Sequence, residues 1–125
     1  MLRPRISPIL LLKGSGSEKT RSFMSYKYLG DIINNIRIFN ELKVDELTIF
    51  DIENAKDNEK GINFILLEKI AREASMPLCY GGGIKTLPEA ENLVNIGFEK
   101  ISLCKNALNS DLVNSISSSI GSQSL

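Results

Sequence analysis

The sequence predicts an α/β fold in which parallel strands are joined by crossover helices. Three observations lead there. Short, continuous apolar runs alternate with longer segments of helical periodicity, the pattern of successive βα units. Polar residues gather where each run ends, at the carboxyl ends of strands, where ligands bind in such folds. One run, in "PLCYGGGIKTLPEAE" (77–91), ends in three consecutive glycines before a helix begins.

Residues 6–12, "ISPILLL", read as a strand covered on both faces. Two arginines precede the run, as in a secretory leader. Ser7, Pro8, the early Lys13 and the lack of a small-residue cleavage site make a buried strand the better reading. The polar stretch 13–30, "KGSGSEKTRSFMSYKYLG", is expected to be a long connecting loop. Asp31 can cap the next helix, with Ile32, Ile36 and Phe39 on one face and Ile33 alongside.

"DELTIFDI" (45–52) reads as the second strand, closing on Asp51. Asn63 can cap a second helix over 63–75, with Phe64, Leu67, Ile70, Ala71 and Ala74 turned inward. "MPLCY" (76–80) is the third strand. Thr86 and Glu89 then have capping-box spacing, Pro88 suits the first turn, and Gly97 suits the helix end. "EKISLCK" (99–105) is the fourth strand and 110–121 a weaker fourth helix ended by Gly121. The closing "SQSL" looks like the beginning of a fifth strand. Nothing resembles a linker, so 1–125 is a single unit.

Fifteen basic and fifteen acidic residues cancel, which gives no global electrostatic case for nucleic acid or an anionic membrane as partner. No segment approaches the roughly 20 apolar residues that span a bilayer. Histidine is absent, which removes the commonest general base and metal ligand. Cys79 and Cys104 form no zinc pattern and suit a reduced, cytoplasmic protein. No metal or cofactor is expected.

At the strand ends stand Leu11, Lys13 and the Lys19 loop, then Asp51, Glu53 and Asn54, then Tyr80 with Gly81, Gly82 and Gly83, and last Cys104, Lys105 and Asn106. Glycines without Cβ atoms let a phosphate approach bare amides; a tight strand-to-helix turn would also account for them. "GSGSEKT" is not a nucleotide-binding P-loop, because Glu18 stands where glycine must precede the lysine. Lys13, Lys19, Arg21 and Lys27 can attract an anionic substrate, or simply face solvent. Asp51, desolvated behind an apolar run, implies either a functional role or an ion pair with a lysine such as Lys19. The cysteines and Tyr80 read as packing residues.

Together, "MLRPRISPILLLKG", "LGDIINNIRIFNELKVDELTIFDI", "PLCYGGGIKT" and "GSQSL" resemble the cyclase subunit of imidazole glycerol phosphate synthase, and within it the branch of surface-polysaccharide (lipopolysaccharide) clusters linked to acetamidino sugars. The resemblance implies the N-terminal (βα)4 half of a TIM (βα)8 barrel ending at the start of strand five. It implies a partner glutamine amidotransferase on the opposite face that supplies ammonia through the barrel, and a phosphorylated or nucleotide-activated sugar as substrate. By position, Lys19 and Asp51 belong to the functional set. Gly82 and Gly83, with Gly81 before them, match a phosphate-binding loop, and Cys104 and Lys105 are the further phosphate-binding candidates, standing where the family typically has an Asn-Thr pair. Leu11 replaces the first of the two catalytic aspartates, and the second would lie beyond Leu125. Half a barrel leaves sheet edges open and one face bare. The chain is therefore expected to be an incomplete or split form of a barrel protein, completed by a second half barrel or as a homodimer, and a non-catalytic phosphate-binding half barrel is the alternative to an enzyme. A different phosphate-binding α/β domain, complete at this length, would instead be a well-behaved monomer.

Overall fold

The structure, a computed structural model, describes residues 4–13, 16–21, 25–52, 61–103, 109–121 and 124–125, with backbone alone for 13, 16–21 and 25–30. One six-stranded sheet forms the body. In chain order its strands are β1 (Ile9–Lys13), β2 (Gly16–Arg21), β3 (Ser25–Asp31), β4 (Leu47–Asp51), β5 (Leu78–Gly81) and β6 (Lys100–Ser102). The helices are α1 (Ile32–Leu42), α2 (Phe64–Glu73), α3 (Leu87–Ile96) and α4 (Ser110–Ile120). The sheet order is β3-β2-β1-β4-β5-β6.

Strands β1, β4, β5 and β6 pair in parallel. With the four helices they make the alternating βα half barrel that the sequence implied. The expected loop over 13–30 is instead an antiparallel hairpin, β2–β3, added beside β1. Its lysines and serines hide a strand pattern because an edge hairpin has little need of an apolar face. The fourth parallel strand, β6, is described over Lys100–Ser102, and Glu53, Asn54, Cys104, Lys105 and Asn106 lie outside the described residues. The closing residues contribute no described strand; the Ser124 amide instead donates to the Gly121 carbonyl at 3.2 Å.

Local chemistry sets the helix starts. The side chains of Asp31, Asn63 and Asn109 accept amides of the first turns of α1, α2 and α4. Thr86 and Glu89 close a reciprocal capping box on α3. Leu10, Leu12, Leu47, Ile49, Leu78, Tyr80 and Ile101 are buried. They join Ile32, Ile36, Leu67, Ile70, Ala90, Leu93 and Ile116 of the helices in one core. Alternation along β4 leaves Thr48 and Phe50 half-buried between the buried Leu47, Ile49 and Asp51. One sheet face is thus covered by helices. On the other, Ile9 is 60% exposed. No helix among the described residues is long and apolar enough to cross a membrane.

Candidate functional site

Strand register builds the site in rows. On the bare face, Leu11 pairs with Phe50, Phe50 with Gly81, and Gly81 with Ser102. This row crosses the sheet just below the carboxyl ends of the strands, and none of its members is an acid or base. One row down, Ile9, Thr48, Cys79 and Lys100 are paired in the same way.

The glycine run has two separate physical reasons. A Cβ on Gly81 would collide with Phe50 Cε1 and stand 3.3 Å from Ser102 Cβ, so the missing side chain leaves room for the Phe50 ring. Gly82 has φ 139°, a conformation L side chains rarely adopt, and a Cβ there would stand 2.7 Å from the Asp51 carbonyl oxygen. Gly82 and Asp51 are therefore packed backbone to backbone at the upper rim. The Tyr80 hydroxyl donates to the Gly82 carbonyl at 2.9 Å. Tyr80 itself is fully buried, edge-on to Phe98 with centroids 6.0 Å apart. It is a packing residue that also steadies the turn.

Asp51, 8% exposed, shares the helix-covered face with Leu47 and Ile49 and pairs through its backbone with Leu12. Lys19 lies in β2, one residue past Glu18, which pairs with Leu11. Lys19 and Asp51 thus occupy strands on opposite sides of β1, two strand spacings or about 10 Å apart in the backbone. Asp51, Gly81 and Gly82 are brought together; Lys19 is not among them, because β2 runs antiparallel to β1 and leads its backbone away from the carboxyl ends of the parallel strands.

The opposite end of the strands holds a charged cluster that the sequence reading missed. Glu46 accepts from Ser7 Oγ at 2.8 Å. Its other oxygen lies 3.6 Å from Arg5 and 3.7 Å from Lys100. The Ser7 hydrogen bond, ahead of the two cations, holds the Glu46 carboxyl below its ordinary range against a smaller opposing effect of burial. The signal was present in sequence as a charged residue before or at the start of three of the four parallel strands. A cavity of about 70 Å³ adjoins the cluster, lined in part by Cys79. Burial pushes the Cys79 thiol up, with a hydrogen bond to Thr48 offsetting part of the effect.

The family model described as histidine biosynthesis protein matches residues 5–125. Among curated relatives, the chain is 48% identical over 126 residues to a Pseudomonas aeruginosa protein provisionally named imidazole glycerol phosphate synthase subunit hisF2, covering all of this chain and 50% of the relative. It is 45% identical to a Leptospira borgpetersenii protein provisionally named subunit HisF of the same enzyme, covering all of this chain and 49% of the relative. Imidazole glycerol phosphate synthase subunit HisF of Campylobacter lari is 35% identical over 98% of this chain and 48% of its own length. The chain spans about half the length of the curated relatives it matches. With a parallel βα half barrel and a family match along nearly the whole sequence, the chain belongs to the histidine biosynthesis protein family.

Proposed function

We propose that this chain is the N-terminal half barrel of a cyclase-subunit-like protein that uses ammonia from a partner glutamine amidotransferase. Its substrate is a phosphorylated or nucleotide-activated sugar, in a cytoplasmic polysaccharide-branch pathway rather than histidine synthesis itself. One phosphate sits against the amides of Gly81, Gly82 and Gly83, Cys104 and Lys105 are further candidates for binding it, and Asp51 and Lys19 are the candidate polar groups for the reacting sugar. The observation that carries this reading is the Gly82 backbone, at φ 139° and seated on Asp51 at the carboxyl end of the sheet. A side-chain-free turn at that end is where an anion can meet main-chain donors. Ammonia would enter at the opposite end, past Arg5, Glu46 and Lys100. In a Gly82→Asp variant the added carboxylate would repel the phosphate, and affinity for sugar phosphates should fall. Unchanged affinity in a folded variant would refute the phosphate site.

The row Leu11, Phe50, Gly81 and Ser102 favours a second reading, a half barrel that binds phosphate without performing chemistry. No member can give or take a proton near neutral pH. Incubation with a cognate amidotransferase, glutamine and candidate sugars separates the two. Product formation by this polypeptide excludes the inert reading, and binding without turnover supports it.

A further inference from the structure

We propose, resting on the phosphate reading of the Gly81–Gly83 turn, that Phe50 is the platform for the substrate's sugar ring, so that the ligand is a cyclic sugar phosphate with an apolar C–H face. Phe50 stands in the row just below the carboxyl ends of the strands, paired with Leu11 on one side and Gly81 on the other. Its side chain alternates with the buried Ile49 and Asp51 and so projects from the sheet face opposite the helices. The ring leans from β4 across β5, where Cε1 and Cδ1 fill the space that a Cβ on Gly81 would take. Gly81 has no positive φ, unlike Gly82 and Gly83. Its missing side chain serves the ring alone.

The ring lies next to the turn. Gly82 follows Gly81 directly, so the Phe50 row is one residue, about 3.3 Å of strand rise, below it. The Tyr80 hydroxyl, from the buried side, holds the Gly82 carbonyl at 2.9 Å. A phosphate on the amides of this turn leaves its sugar above the Phe50 row.

The row's chemistry selects the sugar. Leu11 and Phe50 are half-buried neighbours, about 5 Å apart in the backbone. A hydroxyl or a charge turned onto them would lose water and gain no partner. A C–H face loses nothing there, and its weakly positive hydrogens suit the negative face of an aromatic ring. Ring closure gathers C–H bonds on one face. An open-chain polyol would have to freeze several torsions to do the same. Ser102, at the far end of the row, adds a hydroxyl for a ring substituent.

Calorimetric titration with inorganic phosphate, glucose 6-phosphate and its open-chain counterpart sorbitol 6-phosphate tests the platform, with circular dichroism verifying the fold. Glucose 6-phosphate should bind about 3- to 10-fold more tightly than sorbitol 6-phosphate. Phe50→Leu keeps the floor apolar but removes the aromatic face. It should abolish that preference and leave affinity for inorganic phosphate unchanged. In the parent, intermolecular nuclear Overhauser effects should join the Phe50 ring protons to C–H protons of bound glucose 6-phosphate, a contact that a purely packing residue would not show. Equal affinities for the two sugars, a preference that survives Phe50→Leu, or sugar contacts confined to other residues would each overturn the platform and leave the phosphate site standing. A parent chain that binds none of the three ligands would refute the phosphate reading, and the platform with it.

Discussion

A methyl group on Gly82 would meet the Asp51 carbonyl oxygen in a backbone that only glycine enters freely. Gly82→Ala should therefore cost about 2–4 kcal/mol, from strained φ and overpacking together, measured by chemical denaturation. Gly81 is constrained differently, by the Phe50 ring rather than by φ. Gly81→Ala should cost about 1–3 kcal/mol alone and nearly nothing in a Phe50→Ala background. Additive costs in that double-mutant cycle would show that the ring is not the obstacle. Glu46 gives a pH signature. Its folded pKa lies below the ordinary 4.5, so its stabilisation is present above that value and is lost as pH falls through the folded value. Glu46→Gln should thus lower stability at neutral pH by no more than about 1 kcal/mol, since the partners are partly exposed. The difference from the parent should vanish in acid. At this scale the glycines were legible as a place of close approach or a tight turn, because a run of three costs backbone entropy. That Gly81 serves Phe50 and Gly82 serves Asp51 was not legible, since both partners come from β4, far away in sequence.

Helix ends are set by neighbours within four residues, which is why the caps at Asp31, Asn63 and Thr86 could be read directly. In α3 the Thr86 amide donates to Glu89 Oε1 at 3.1 Å and the Glu89 amide to Thr86 Oγ1 at 3.4 Å. Thr86→Ala should lower the thermal midpoint with a loss of about 1 kcal/mol, and Thr86→Ser should restore most of it. The β2–β3 hairpin was read as a loop. Its Lys, Ser and Glu residues carry weak strand preference, and its pairing is decided by the edge of β1, which no local window contains. The lower charged cluster escaped for the same reason: Arg5, Glu46 and Lys100 meet only once three strands are parallel and in register.

For the whole molecule, the alternation of apolar runs and periodic segments was enough to give the order of the parallel strands, because each βα unit signals itself locally. What it could not give was the site's floor, which depends on register across four strands and leaves Leu11, Phe50, Gly81 and Ser102 in one row. The central claim is that the turn after β5 holds a phosphate on bare amides. Titration of the ¹⁵N-labelled chain with ribose 5-phosphate tests it most directly. Saturable shifts of the Gly82 and Gly83 amides, lost in Gly82→Asp, are expected; shifts confined to other residues, or none at all, would refute a phosphate site at this turn.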